Sequence, residues 1–276
     1  MKMSKKKFYI IGKPLSHSLS PTLHNYWFKK YKIDADYNIL EVHDSEIQKV
    51  VKEIKEKKIF GINVTLPYKK KVIPYLDRII NDAKESSSVN TIYLDKEEKI
   101  IGENTDIFGL QAGYFKEITS SENKKTKALV LGAGGVSPSV ILALNKSSVK
   151  DITLSNRTYD KSIFLKKQFP FLNVLKWADL EKSIPQFDII INATSLGLKN
   201  GDNFDFLFAN FKKGLIYIDT IYNPLKTKMI IHLEKNNIRT FNGLDMFIYQ
   251  GQKSFYIWNK INPEIDEELI NLLKSK

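Results

Sequence analysis

The chain contains no cysteine, which excludes disulfide staples, thiolate nucleophiles and cysteine-bearing zinc sites. Histidine is scarce too. His17, His24, His43 and His232 stand far apart, no two share the one-turn spacing of a helical metal site, and no metal is expected. No run approaches the ~18 consecutive apolar residues of a membrane-spanning helix. The longest are strand-sized, such as Phe187 to Ala193, so no membrane attachment is expected. Lysines at Lys2, Lys5, Lys6 and Lys7 lead only into the short apolar stretch Phe8 to Ile11 before Gly12 and Pro14 end it. A secretory core is missing, and the expected location is cytoplasmic. Arginine is short as well, with Arg78, Arg157 and Arg239 the only three among 43 basic residues. Nucleic-acid readers lean on arginine for bidentate contacts, whereas the lysines here (Lys49, Lys52, Lys55, Lys57, Lys58) sit on helices without interleaved aromatics. The formal net charge of +12 is therefore read as solvated faces, and no nucleic-acid partner is expected.

With 276 residues, 42% of them hydrophobic, the chain fits two compact domains of ordinary size or one large one, with enough apolar residues to bury a real core. Short apolar strands alternate with amphipathic helices, the pattern of an α/β protein. Strands are expected at Lys7 to Ile11, Tyr37 to Val42, Ile59 to Thr65 and Val89 to Leu94. Helices are expected after Ser20 and Pro21, near Asp44 to Lys57 and near Lys70 to Ile80, completing a first unit by about residue 105. A helix from Asp106 to Glu117 then runs into the polar connection Thr119 to Thr126. A second unit opens with Ala128 to Leu131, the turn Gly132-Ala133-Gly134-Gly135 and a helix from about Ser137 to Asn145. Its later strands are expected at Ile152 to Ser155, Asn173 to Trp177, Phe187 to Ala193, Leu215 to Ile218 and Arg239 to Phe241, all in a parallel sheet. Two terminal helices, about Met246 to Trp258 and Pro263 to Leu273, have no strand left to join there and are expected to pack on the first unit.

Strand, glycine turn and helix form the order that a dinucleotide site needs. Gly132 permits the tight turn, and Gly134 lets backbone approach a pyrophosphate at the N-terminus of the next helix, where unpaired N–H groups and the dipole favour an anion. The third glycine of the fingerprint is replaced by Ser137. At the end of the second strand, where an acid would read a ribose hydroxyl, the chain has Asn156-Arg157-Thr158, with Lys161 one helical step on. Arginine there suits a 2′-phosphate and favours NADP over NAD. In the first unit, Ser18 and Ser20 bring hydroxyls to a helix start, where they serve equally well as a carboxylate clamp or, for Ser20, as an N-cap. Asn63-Val64-Thr65-Leu66-Pro67-Tyr68-Lys69 alternates polar residues before a turn that delivers Lys69. Val89-Asn90-Thr91 and Gly102-Glu103-Asn104-Thr105-Asp106 place Asn and Asp at strand ends.

In order, the chain carries G-x-P-x-x-H-S-x-S-P-x-x-H-N, N-V-T-x-P-x-K, V-N-T, G-x-N-T-D-x-x-G, G-A-G-G, N-R-T, N-A-T-S-x-G (Asn192 to Gly197), D-x-I-Y-x-P (Asp219 to Pro224) and G-L-x-M-x-x-x-Q (Gly243 to Gln250). This series resembles the shikimate dehydrogenase family. The resemblance implies a substrate-binding catalytic domain over residues 1–105, a Rossmann-like NADP-binding domain over 106–242, and C-terminal helices over 243–276 that return to the first. It implies reversible NADPH-dependent reduction of the 3-dehydroshikimate ketone, a step of chorismate and aromatic amino-acid biosynthesis, on a small-molecule substrate by a monomer or homodimer. Lys69 looks like the catalytic lysine and Asp106 its acid-base partner. Ser18 and Ser20 look like the carboxylate clamp, assisted by Tyr222. Thr65, Asn90, Asp106 and Gln250 resemble the groups that read the ring hydroxyls, with Asn63 ordering the loop behind them. Gly132, Ala133, Gly134, Gly135 and Val136 with Asn156, Arg157, Thr158 and Lys161 resemble the pyrophosphate and 2′-phosphate sites, and Thr194, Thr220, Gly243 and Met246 the nicotinamide half. Two rivals stay in view: an NAD-using quinate/shikimate dehydrogenase and a catalytically silent dinucleotide-binding protein.

Overall fold

Two six-stranded sheets organise the computed structural model, which describes residues 5–16, 18–118, 126–199, 202, 204–205 and 208–276. The chain divides into two units, residues 1–109 with 248–276 and residues 110–247.

The first unit contains β1 (Lys6–Gly12), α1 (Ser20–Lys30), β2 (Ala35–Glu41), α2 (Ile47–Lys55), β3 (Gly61–Val64), β4 (Arg78–Ile79), α3 (Asp82–Ser86), β5 (Thr91–Leu94), β6 (Ile100–Glu103) and the start of α4 (Asp106–Leu110). Its sheet order is β2-β1-β3-β5-β6-β4. Strands β2, β1 and β3 are parallel, but β5 runs antiparallel to both β3 and β6. That reversal is what positions the site: the N-terminal end of β5 lies at the same edge as the C-terminal ends of β1, β3 and β6. The amphipathic α2 buries Ile47, Val50, Val51 and Ile54 in a core shared with Ile11, Ile62, Val64, Val89 and Ile92.

The expected helix over Lys70 to Ile80 does not form. Pro74 removes a backbone donor and crowds the preceding turn, and the segment instead makes a single 3₁₀ turn at Ile73–Tyr75 followed by β4. The apolar pattern predicts neither β4 nor β6. β4 has two residues, and β6 offers only the apolar pair Ile100 and Ile101 before Gly102 and Glu103, so neither shows a period.

In the second unit the helical path of α4 continues through a wider turn at Gln111–Phe115 and α5 (Lys116–Ile118). The expected connection from Thr119 lies outside the described residues except for Thr126. Then come β7 (Lys127–Leu131), α6 (Ser137–Lys146), β8 (Asp151–Asn156), α7 (Tyr159–Gln168), β9 (Asn173–Lys176), α8 (Leu180–Ser183), β10 (Ile189–Asn192), β11 (Ile216–Asp219), α9 (Lys228–Lys235) and β12 (Arg239–Phe241). The order β12-β11-β10-β7-β8-β9 is parallel throughout. This is a doubly wound sheet, and its strand order reverses between β7 and β10, where such folds bind ligands.

The chain returns to the first unit within α10 (Leu244–Asn259) and ends with α11 (Glu267–Lys274). Phe255 packs 5.4 Å from both Trp27 and Phe28, and Trp258 packs 5.1 Å from Phe8. The terminal helices thus join the first core, as their apolar spacing predicts. No helix among the described residues is long and apolar enough to cross a membrane.

Candidate active site

At the shared edge of the first sheet, Lys69 follows β3, Asn90 precedes β5 and Asp106 follows β6. The Lys69 ammonium lies 2.6 Å from Asp106 Oδ2, with the two side chains only 14% and 6% exposed. The other carboxylate oxygen, Oδ1, accepts a 2.8 Å hydrogen bond from Asn90 Nδ2. Burying an ion pair is costly unless the remaining lone pairs are satisfied, and here both oxygens are engaged. Asn104 sets the approach of Asp106: its Oδ1 accepts the Asp106 N–H at 3.0 Å, while its Nδ2 donates to Ser86 Oγ and the Ser88 carbonyl.

The Asn90 amide is fixed from several sides. Its Oδ1 accepts the Thr105 N–H at 2.7 Å, and its Nδ2 also reaches Thr105 Oγ1 and, at 3.3 Å, Gln250 Oε1 on α10. Behind it, Asn63 Nδ2 donates to the Asn90 carbonyl, Thr91 Oγ1 and Ser254 Oγ, and Asn63 Oδ1 accepts the Tyr37 hydroxyl at 2.8 Å. Ser254 Oγ lies 2.7 Å from Thr91 Oγ1 and 3.2 Å from Thr105 Oγ1. The motifs include Asn104 without giving it a role and do not include Ser254. For Ser254 a signal was available, because it follows Gln250 by one helical turn and shares its face.

Thr65 is half-buried beside Gly12, with no hydrogen bond to its hydroxyl among the described residues. Ser18 and Ser20 stand at the start of α1, and His17 between the glycine and the serines lies outside the described residues. Ser20 is not the N-cap. The helix begins at Ser20 itself, Leu19 occupies the cap position without a side-chain bond, and Ser18 Oγ accepts a long 3.4 Å bond from the Ser20 N–H. Pro21 in the first turn starts the helix without needing a serine cap. Lys69 spends one of its three donors on Asp106, so this edge offers an ammonium, three hydroxyls and two side-chain amides. That set can bind a small polyhydroxylated acid and exchange a proton with it.

In the second unit, β7 leads through Gly132 into α6. Gly132 has φ +105°, and an added Cβ would lie 2.8 Å from Thr194 Cγ2, so glycine is required where β7 meets the end of β10. Gly134 is exposed, and a Cβ there would meet only the Ala193 carbonyl oxygen at 3.9 Å. Ser137, in place of the third glycine, braces the turn by accepting the Gly134 N–H at 2.9 Å and donating to the Gly132 carbonyl at 2.8 Å. Asn156 accepts the Ala133 N–H at 3.0 Å and donates to the Thr158 carbonyl. The N–H groups of Gly135 and Val136 have no partner among the described residues. Arg78 and Arg239 are paired with acids, whereas Arg157 and Lys161 are exposed at the end of β8 and the start of α7 with no acidic partner among the described residues. Free N–H groups at a helix start, an open glycine and an unpaired guanidinium fit a dinucleotide with a 2′-phosphate.

The ends of β10 and β11 are tied together. Asn192 Oδ1 accepts the Thr194 N–H and hydroxyl at 3.0 and 2.6 Å, and the Asn192 carbonyl accepts the Thr220 hydroxyl at 2.9 Å. Asp219 is fully buried, and burial pushes its carboxyl up to about 6 against the hydrogen bonds that favour its ionised form. Gly243 N–H donates to the Ile221 carbonyl at 2.8 Å, and Met246 N–H to the Tyr114 hydroxyl at 3.1 Å. Tyr222 stacks on Phe247 with centroids 4.5 Å apart. Lys69, Asp106, Asn90 and Gln250 are therefore joined by direct bonds, with Ser18, Ser20 and Thr65 in the same unit. Tyr222 and the expected cofactor residues belong to the second.

The model of the shikimate dehydrogenase substrate binding domain matches residues 10–92, and that of shikimate / quinate 5-dehydrogenase matches residues 115–213. A Pelagibacter ubique protein named shikimate dehydrogenase (NADP(+)) is 49% identical over 269 residues, 98% of this chain and 99% of its own. Among solved structures, shikimate dehydrogenase from Aquifex aeolicus is similar at a TM-score of 0.86 and 33% identity, with all of both chains covered. Shikimate 5-dehydrogenase from Listeria monocytogenes, in complex with shikimate and NAD, has a TM-score of 0.86 at 28% identity and covers 99% of this chain and 98% of that one.

Proposed function

Since the chain belongs to the shikimate dehydrogenase family, we propose that it interconverts shikimate and 3-dehydroshikimate with NADP as the redox partner, a step of chorismate and aromatic amino-acid biosynthesis. The observation that carries the reading is the Lys69–Asp106 pair, 2.6 Å apart, set among hydroxyls and amides suited to a polyhydroxylated ring. Bound NADPH supplies a hydride to the ketone carbon, and in reverse NADP accepts it. Lys69 gives a proton to the oxygen at that carbon during reduction and takes it back during oxidation. Asp106 aims the ammonium, and Asn90 fixes the carboxylate that does so. Thr65, Asn90, Asp106 and Gln250 hold the ring hydroxyls, which orients the carbonyl for attack. The Ser18 and Ser20 hydroxyls donate to the substrate carboxylate.

The N–H groups of Gly135 and Val136 receive the pyrophosphate, and Arg157 with Lys161 receives the 2′-phosphate. Asn156 and Ser137 are already committed to the glycine turn and act by shaping it. The first unit, residues 1–109 with 248–276, is assigned to substrate and the second, residues 110–247, to the cofactor, a few residues from the boundaries at 105/106 and 242/243 expected from the sequence, and the absence of cysteine fits action in the cytoplasm. Kinetics with shikimate or quinate, each with NADP or NAD, test the assignment. The highest kcat/KM is expected for shikimate with NADP, and a preference for quinate with NAD contradicts it.

A further inference from the structure

The Asp219 carboxylate is buried in the second unit and touches none of the residues assigned to proton transfer. Its Oδ1 accepts from the Ile221 N–H at 3.0 Å and Asn192 Nδ2 at 3.1 Å. Its Oδ2 accepts from the Thr227 hydroxyl at 2.9 Å and the Tyr217 hydroxyl at 3.4 Å. The bond to Asn192 determines which way that amide faces. With Nδ2 turned to Asp219 and the Leu196 carbonyl, Oδ1 must face Thr194, whose N–H and hydroxyl it accepts. On the other side, the bond to Ile221 N–H holds the turn that carries Thr220 and Tyr222. A buried charged group with four donors to itself is a strong local constraint, because removing it leaves each donor unsatisfied.

We propose that Asp219 is a positioning residue for the nicotinamide half of the cofactor: it orients Asn192 and the Ile221 N–H, and through them the turns carrying Thr194 and Thr220. The proposal rests on the assignment of those turns to the nicotinamide made above. It acts through hydrogen bonds, and the two oxygens are not equivalent. Oδ1 receives two N–H donors and must remain an acceptor. Oδ2 receives only hydroxyls, which can reverse and accept instead. Asparagine with its oxygen in the Oδ1 position therefore preserves the arrangement, whereas alanine abolishes it.

The test is calorimetric titration of the purified full chain with NADP and with 2′,5′-ADP, which lacks the nicotinamide, alongside thermal melting. Asp219→Ala is expected to weaken NADP on the order of tenfold, the scale of one or two lost hydrogen bonds, and to change 2′,5′-ADP by less than about twofold. Asp219→Asn is expected to recover most of that loss. Equal losses for both nucleotides, or a lower melting temperature with both affinities intact, would overturn the proposal. If the alanine variant does not fold, Thr227→Val removes one donor to Oδ2 and is expected to weaken NADP selectively by about threefold; no selective loss overturns the proposal. Wild type that binds NADP but oxidises no shikimate refutes the proposed reaction, while the selectivity for the nicotinamide half still decides the role of Asp219.

Discussion

Lys69 and Asn90 grip opposite oxygens of one carboxylate: the ammonium binds Oδ2 of Asp106 at 2.6 Å and the amide donates to Oδ1 at 2.8 Å. Both partners are donors, so Asp106→Asn cannot satisfy them together. With its amide nitrogen toward Lys69 it meets an ammonium, and when flipped it meets the Asn90 amide. Asp106→Asn is therefore expected to lower kcat by ~10²–10⁴-fold, the range of a positioned acid-base group, measured by steady-state oxidation of shikimate. Unchanged kcat would remove Asp106 from the proton-transfer machinery.

On the proposed reading Arg157 selects the cofactor. A guanidinium meeting a 2′-phosphate forms charge-assisted, bidentate contacts, so Arg157→Ala is expected to weaken NADP by about ten- to a hundredfold and leave NAD nearly unchanged. Titration with each nucleotide measures this, and equal losses for both would show that the arginine does not read the phosphate.

Ser18 and Ser20 separate binding from stability. Neither serves α1 as a side-chain cap, so Ser20→Ala should cost well under the ~1 kcal/mol of a lost cap. Ser18→Ala is expected to raise KM for shikimate on the order of tenfold with little change in melting temperature. A carboxamide analogue of shikimate should be rejected less sharply by Ser18→Ala than by wild type. If both proteins reject it to the same degree, the carboxylate is held elsewhere.

His24 predicts an acid-sensitive fold. It is fully buried, its ring stacks on Tyr37 with centroids 4.4 Å apart, and burial, outweighing the opposing effect of the Asn63 side chain, pushes it down to about 3 from 6.5. The unfolded chain binds a proton there below pH 6.5 that the folded chain refuses, so stability falls as pH drops from 6.5 toward 3, at up to about 1.4 kcal/mol per pH unit. Asp219 contributes with the opposite sign. Its folded carboxyl is pushed up to about 6 from 3.8, so the folded state binds the extra proton and acid relieves a cost in that window. Urea unfolding of wild type and His24→Phe across this range isolates the histidine. The curves should converge toward pH 7 and separate below it, with wild type losing more, and parallel curves would contradict a neutral buried imidazole.

The second sheet is legible in the sequence because its inner strands are buried on both faces. β7 and β10 read as short apolar runs, and the glycines between β7 and α6 mark the turn. The first sheet is less so, since β4 has two residues, β6 carries only one apolar pair before Gly102, and a proline interrupts the lysine-rich segment before them. Lys69, Asn90 and Asp106 sit in recognisable motifs. Not every group that holds them does: Asn63 opens the same motif as Lys69, but its partner Ser254 lies 191 positions away and in no motif, and only folding brings the two together. Ser20 shows the converse, because Ser-Pro reads as a cap followed by a first turn, whereas the helix starts one residue earlier than that pattern implies.

The most direct measurement is NADPH formation when shikimate and NADP are mixed with the purified chain, run beside Lys69→Ala with shikimate affinity determined for both proteins. Wild type is expected to form NADPH in step with shikimate consumed. Lys69→Ala is expected to be slower by ~10²–10⁴-fold with shikimate affinity within about threefold of wild type. No NADPH from wild type, or equal rates from the two proteins, would contradict the account.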